Sequence, residues 1–526
     1  MSWFDRIGGL LGYSASASSS PEYQGSRWRG ASRTLRSLQN WFPGIGSARS
    51  DLPANEQRTL RARSRDAYRS QLIARAALTR CRTNIVGTGL MCHAAVDAKA
   101  LNLTEDEAAA YNESLQSAFD AWAEEPNDCD WESTLDFYGL QALTLISAMA
   151  SGDVFALTPH DQRPGNTSEL KVQLIEADRV SNPNHGIDSE TLVDGVVLTR
   201  DGKLSGYWIS DTHPGDVISS TRMATWAFYA AFGVETGRRR VLHVWNEKDR
   251  PEQVRSAPFL APILEPLRQL ARYGDAELMA AVISAMFTVF IEHEAEGVDE
   301  AGNPLPGAFG GAEQSPAGQP AKLSLGNGAI VDLAPGEKAN TANPTRPNAN
   351  FDPFFVALVK QIGAALELPL DELMLQYNAS YSAARAAMLQ AWRFYTTRRW
   401  QLVQQFCQPI RGLWLDEQVA AGKIRLPGYS DPVRRRAWSR GAWVGPARGS
   451  MDEDKEAKAA ETRIRIGVSN EEIETAAMTG EPWAVVYARR RAEINQRKKD
   501  GTWQEPKPPA PPPPEPDDRP PPPSGG

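Results

Sequence analysis

The chain has 526 residues, with 57 Lys and Arg against 65 Asp and Glu, a formal net charge of −8 and 41% hydrophobic residues. That length supports two or three folding units with ample core, and the acidic balance argues against a protein that coats nucleic acid by simple attraction. The four cysteines lie apart with no CxxC spacing, which argues against a disulfide scaffold and points to buried, reduced thiols.

Residues 1–54 form a Ser-, Gly- and Arg-rich arm with isolated Trp3, Trp28 and Trp41, expected to lack a fixed fold alone and to dock on another protein chain. No apolar core follows the N-terminus, so no signal peptide is expected. Helix is predicted over 55–85, ended by Gly87 and Gly89, and a strand over 90–96. A second amphipathic helix spans 105–123, capped by Thr104, and a third 131–150. Strands follow at 154–158, 171–176, 195–199, 205–210 and 241–245, with Arg200-Asp201-Gly202-Lys203 as a hairpin turn. Residues 55–255 thus read as an α+β domain with an antiparallel sheet.

Helix resumes over 256–285. The most apolar run, Leu278 to Ile291, is too short to span a bilayer and reads as a helix passing into a strand, so no membrane partner is expected. Residues 286–350 hold strands at 287–292 and 329–333 around a Gly/Pro-rich excursion, as a small insertion between two helices. The second of these opens with Asp352 as cap and Pro353 at the first helical position. Its apolar face carries Phe354 or Phe355, Leu358, Ile362 and Leu366; a mixed stripe carries Val356, Lys360, Gly363 and Glu367. Pro369 stops it. A polar loop with Gln376, Tyr377 and Asn378 at its tip leads into a long helix over 380–408. A Trp- and Arg-rich stretch, helices at 452–466, 470–477 and 483–499, and an extended proline-rich tail complete the chain.

Motifs for catalysis are missing: there is no P-loop, HExxH, GxSxG or zinc spacing. The six histidines stand singly. Asp178-Arg179 and Glu247-Lys248-Asp249 are acid–base neighbours of the kind nucleases use around metal, but with no second acid cluster near them they read as surface charge. No enzyme, cofactor or metal is expected.

Taken together, several segments give the layout an identity. RSRDAYRSQLIARAALTRCRTNIVGTGL (63–90), GDVFAL (152–157), QLIEADRV (173–180), VLHVWNEKDRPEQVRSAPFLAPIL (241–264), LAPGEKANTANPTRPNANFDPF (333–354), ASYSAARAAMLQAWR (379–393), QFCQP (405–409) and DEDKEAKA (452–459) occur in order. Through them the chain resembles the lambda-type portal proteins of tailed bacteriophages, over most of 63–480. The resemblance implies a homo-oligomeric ring, typically of twelve subunits, at one capsid vertex of the virion, assembled in the host cytoplasm. It would conduct double-stranded DNA during packaging and ejection and nucleate procapsid assembly. Its partners would be the terminase large subunit, major capsid and scaffold proteins, and head–tail connector or adaptor proteins.

By similarity, 55–255 is the first part of an α/β wing, 256–285 and 351–368 the two-helix stem, and 286–350 the clip. Residues 369–380 are the tunnel loop, 381–451 the long helix and second part of the wing, 452–503 a helical crown and 504–526 a disordered tail. Lys360, Glu367, Gln376, Tyr377 and Asn378 would line the channel, although Lys360 and Glu367 also suit a contact between subunits. A metal-dependent nuclease of packaging, with Asp178 and Glu247 holding the ion, is the alternative.

Overall fold

The computed structural model describes residues 36–37, 40, 44, 46–216, 224–285, 289–293, 337–341, 350–376, 380–449, 452–481 and 483–503. Residues 1–51 form a unit of their own; its described part ends in a turn in which the Ser50 and Asp51 N–H groups donate to the Ser47 carbonyl. The rest, from Leu52 onward, is α+β.

Two helices open this unit, α1 (Ala54–Ser70) and α2 (Leu72–Ile85), where one was expected. Gln71 between them is extended. The buried face of α2 is apolar (Ala74, Ala77, Leu78, Cys81, Ile85), whereas α1 buries Gln57, Arg61 and Ser64 with Ala67. Strand β1 (Met91–Ala94) and helix α3 (Glu105–Ala123) follow. Helix α3 begins as its residues dictate: the Glu107 N–H donates to Thr104 Oγ1 and the Thr104 N–H to the Glu107 carboxylate, a reciprocal cap. Helix α4 (Phe137–Ser151) starts six residues later than expected, at the Asp136 cap, and is buried along most of its length.

Gly152 then turns the chain directly into β2 (Asp153–Leu157). Its φ of +94° disfavours any side chain, and a Cβ there would fall on the Ser256 carbonyl. β2 is the centre of a three-stranded antiparallel sheet between β3 (Gln173–Glu176) and β8 (Val241–Trp245). The sheet is covered on both sides. Val154, Ala156, Leu242 and Val244 join the main helical core, while Phe155, Leu157 and Val241 face a second cluster with Val196, Tyr207 and Ile209. That second cluster is roofed by a four-stranded sheet, β4 (Leu192–Val193), β5 (Val196–Leu198), β6 (Leu204–Ser210) and β7 (Trp226–Ala230). Burial on both faces explains why β2 and β8 read as nearly unbroken apolar runs.

Helix α5 (Leu264–Ala285) begins eight residues after the expected start. Pro258 and Pro262 hold Ser256–Ile263 in an irregular approach, fixed where the Phe259 N–H donates to the Met149 carbonyl. Strand β9 (Val289–His293) pairs antiparallel with β10 (Glu337–Thr341); the strand expected at 329–333 lies outside the described residues. Helices α6 (Phe351–Ala365), α7 (Leu370–Met374) and α8 (Tyr381–Leu402) come next.

The chain does not stop at Pro409. A π-helical turn, Val403–Cys407, leads into α9 (Gln408–Ala420). Its wider hydrogen bond, from the Gln408 N–H to the Val403 carbonyl, makes room for the Pro409 ring that would clash in a regular helix. After α10 (Pro432–Ser439), β11 (Gly441–Val444) closes back on β1. Helices α11 (Glu453–Arg465), α12 (Glu471–Thr479) and α13 (Trp483–Lys499) end the described chain. All four cysteines are buried and free, and burial pushes the Cys81, Cys92 and Cys129 thiols up to about 12. Among the described residues no helix is long and apolar enough to cross a membrane.

Candidate functional site

The stretch from α6 to α8 carries the residues expected to line a channel. Helix α6 begins one residue before Asp352, with no side-chain cap, so Pro353 sits in the first turn where its missing N–H costs no helical bond. It packs against α5 through aromatic contacts: the Tyr273 ring stacks on Phe351 at 5.4 Å and meets Phe354 edge-on at 5.0 Å. Val359, Ile362 and Leu366 are buried. Lys360 is exposed and makes no ion pair among the described residues.

Helix α6 ends earlier than Pro369 alone would require. The Leu368 N–H donates to the Gly363 carbonyl at 2.9 Å and the Glu367 N–H to the Ala364 carbonyl at 3.4 Å, closing a Schellman turn. Glu367 therefore takes the left-handed conformation, φ 57°, at a position that favours glycine. It is exposed but lies past the helix, so it does not continue a stripe from Lys360. Gly363 is buried within its own chain: a Cβ there would stand 2.5 Å from the Leu368 carbonyl oxygen. Its smallness serves this turn.

The segment expected as a loop contains α7, whose Leu373 is buried. Burial raises the Glu372 carboxyl, opposed by Arg80 on α2. Leu375 ends α7 in a second left-handed residue, φ 52°. Gln376 is exposed; Tyr377 and Asn378 lie outside the described residues. Ser380 caps α8 by accepting from the Ala383 N–H. Two arginines near the end of α8 are internal anchors: Arg398 donates to the Asn246 carbonyl at 2.5 Å and pairs with Glu247 at 2.8 Å. Arg399 donates to the carbonyls of Asn84, Ile85 and Pro446, and burial lowers it to about 10.

Behind this segment lies a buried ion cluster that no motif announced. The Asp153 carboxylate, at the head of β2, accepts from Arg255 Nε at 2.6 Å and Nη2 at 2.9 Å and from His243 Nε2 at 3.1 Å. Arg255 Nη1 also reaches the Asp194 carboxylate at 2.9 Å, and Arg61 Nη2 stands 3.5 Å from Asp194 and 3.7 Å from Asp153. Burial would push the Asp153 carboxyl up, but Arg255, His243 and Arg61 hold it well below the usual range. Burial lowers His243 from its ordinary value, and its ring is stacked between Phe155 and Trp245. The cluster joins α1, β2, β8 and the segment leading to α5. Arg61 follows Gln57 by four residues on a helix face, but nothing local marks that face as buried.

Asp178 and Glu247, the acids of the nuclease alternative, are both held by guanidinium groups. Asp178 pairs with Arg65 at 2.7 Å, and Glu247 with Arg398. Among the described residues no group of three His, Cys, Asp or Glu could hold a metal ion.

With this geometry in place, the family model described as phage portal protein, lambda family, matches residues 34–399. The chain belongs to that family. Portal protein B of Escherichia phage lambda is 26% identical over 481 residues, 88% of each chain. The portal protein of Escherichia phage N15 is 26% identical over 492 residues, 88% of this chain and 89% of that one. A probable portal protein of Halomonas phage phiHAP-1 is 24% identical over 416 residues, 78% and 75% of the two chains. Among solved structures, a chain from the neck of a native GTA particle computed with C12 symmetry aligns with a TM-score of 0.42 and 10% identity, over 82% of this chain and 95% of that one.

Proposed function

We propose that the chain forms a closed homo-oligomeric ring of twelve subunits at a single capsid vertex, the conduit through which double-stranded DNA enters and leaves the head. The membership of this chain in the portal family, at nearly full length of its lambda and N15 relatives, carries the reading. In this reading residues 55–255 and 381–451 are the wing, α5 and α6 the stem, 286–350 the clip that docks terminase and later the head–tail connectors, 369–380 the tunnel loop, and 452–503 the crown. The ring assembles in the host cytoplasm with capsid and scaffold proteins and nucleates the procapsid.

The α5–α6 pair supports a ring contact. Leu278 and Met279 on the distal half of α5 are 65% and 59% exposed, and a neighbouring copy would cover them. Lys360, Glu367 and Gln376 support a channel wall: all three are exposed, and Lys360 and Glu367 make no ion pair among the described residues. Sparse charge in an acidic chain suits sliding, because a wall of many Lys and Arg would release counterions, bind phosphates tightly and stall the duplex. The test is native mass spectrometry with negative-stain imaging of the purified protein. A ring with a hole that admits a B-form duplex is expected, with DNA retention altered by Lys360→Glu and by replacing Gln376, Tyr377 and Asn378. A stable monomer with Mg²⁺-dependent DNA cleavage lost on Asp178→Ala would overturn the reading in favour of the nuclease.

A further inference from the structure

Four arginines gather around one cavity far from the α6–α8 segment in sequence. The loop between β7 and β8 supplies Arg238 and Arg239, and α10 supplies Arg435 and Arg436; Asp416 of α9 is the one acid among the residues lining this space of about 290 Å³. The Asp416 carboxylate is already engaged, accepting from the Tyr429 hydroxyl at 2.8 Å. It stands 3.8 Å from Arg238 Nε and 3.9 Å from Arg435 Nε, beyond hydrogen-bond reach. Both of those Nε–H groups are buried, without a hydrogen-bond partner among the described residues. The Arg239 and Arg436 guanidinium groups have no hydrogen bond or ion pair among the described residues.

Elsewhere Arg255, Arg398 and Arg399 donate to carboxylates and carbonyls, and single nitrogens without a hydrogen-bond partner among the described residues occur at Arg61, Arg80 and Arg411; what sets this cavity apart is that four arginines line it with one acid. Four positive charges held together against one negative repel each other. Two of them are held in place: Arg435 lies 5.6 Å over the Tyr429 ring, and Arg238 Nη2 donates to the Leu413 carbonyl at 2.9 Å. The arrangement has the form of a site awaiting an anion.

We propose that this cavity binds a phosphoryl group. The guanidinium fork matches phosphate oxygens two at a time, and three unneutralised arginines suit a dianion better than a single carboxylate. At about 290 Å³ the cavity stands at the lower end of the roughly 300–1,000 Å³ range of ligand pockets, so it admits one phosphate or pyrophosphate unit with room for water. The group comes either from a free phosphate compound or from the backbone of a nucleic-acid strand. The proposal is independent of the conduit reading, since neither source needs the channel.

Inorganic pyrophosphate titrated calorimetrically into the full-length protein at low salt tests it. Saturable binding, one site per chain and weakened by salt, is expected. The exposed pair Arg239→Ala with Arg436→Ala should lower affinity about tenfold or more, while the Arg→Lys pair keeps part of it. A short single-stranded oligonucleotide then identifies the source: displacement of pyrophosphate assigns the strand phosphate, and binding without displacement assigns the free compound. The proposal fails if millimolar pyrophosphate gives no binding, if the Ala pair binds it unchanged with a native circular dichroism spectrum, or if poly-glutamate binds this pocket more tightly than pyrophosphate.

Discussion

Replacing Asp153 by Asn keeps the shape of the side chain and removes the charge at the centre of the buried cluster. The wild-type side chain is fully buried and takes both prongs of Arg255 with the His243 ring. Neutralising it leaves Arg61 and Arg255 inside the protein against Asp194 and Asp178 alone. Breaking a buried pair from one side costs about 3–5 kcal/mol. The guanidinium dependence grows with chain size beyond the small-protein range, to roughly 8–10 kcal/mol per molar here, so the unfolding midpoint should fall by roughly 0.3–0.6 M. Wild type and variant are compared by tryptophan fluorescence at one protein concentration, because assembly itself shifts the midpoint. Acid provides a second check. The folded carboxyl is held below its unfolded value of about 3.9, so its contribution is complete above about pH 4 and is lost as pH falls through the folded value. The deficit of Asp153→Asn should therefore shrink in strong acid. Adding Arg255→Met should recover part of the loss, since it removes the uncompensated cation. A midpoint within about 0.1 M of wild type at neutral pH, equivalent to about 1 kcal/mol, would refute the reasoning.

Other perturbations have equally definite outcomes. Burial lowers His243 from its ordinary value, so below about pH 6.5 the unfolded chain binds more protons than the folded chain; stability should drop as pH falls, by no more than about 1.4 kcal/mol per pH unit from this group, and His243→Gln should flatten that slope in urea titrations run at several pH values. Glu367→Gly relieves a left-handed glutamate and should raise stability by about 1 kcal/mol, read as a higher denaturation midpoint. Gly152→Ala drives a methyl into the Ser256 carbonyl at a positive φ and should cost more than about 2 kcal/mol, read as a lower midpoint or loss of soluble protein.

Local chemistry made much of the fold legible. Helix α3 and its Thr104 cap, strand β8 and helix α13 lie where capping and periodicity place them, because each is specified by neighbours within a few residues. What escaped was set by distant contacts. β11 is four residues in a Trp- and Arg-rich stretch and becomes a strand by pairing with β1. Helix α9 was hidden behind Pro409, which the π turn absorbs. The split at Gln71 has no breaker; it follows from a polar face on α1 that needs Asp153 and Asp194, themselves remote in sequence. In the candidate site the exposure of Lys360 was legible from its stripe, whereas the Schellman turn that buries Gly363 and displaces Glu367 was masked by Pro369, the more obvious stop.

The closure of β11 on β1 also sets an order of events during synthesis. Arg440 pairs with Asp97 across 343 residues of sequence, and Arg399 grips the Ile85 carbonyl across 314. At about 5–20 residues per second, the ribosome needs roughly 20–70 s to deliver these partners. Until then α2, β1 and α3 wait with an open sheet edge and half a core, and such non-local pairing is intrinsically slow. A nascent chain is therefore not yet a competent subunit, and its open edge and half-built core leave it prone to wrong association until the closure is made. The unit from Leu52 onward becomes complete only when nearly all of it exists.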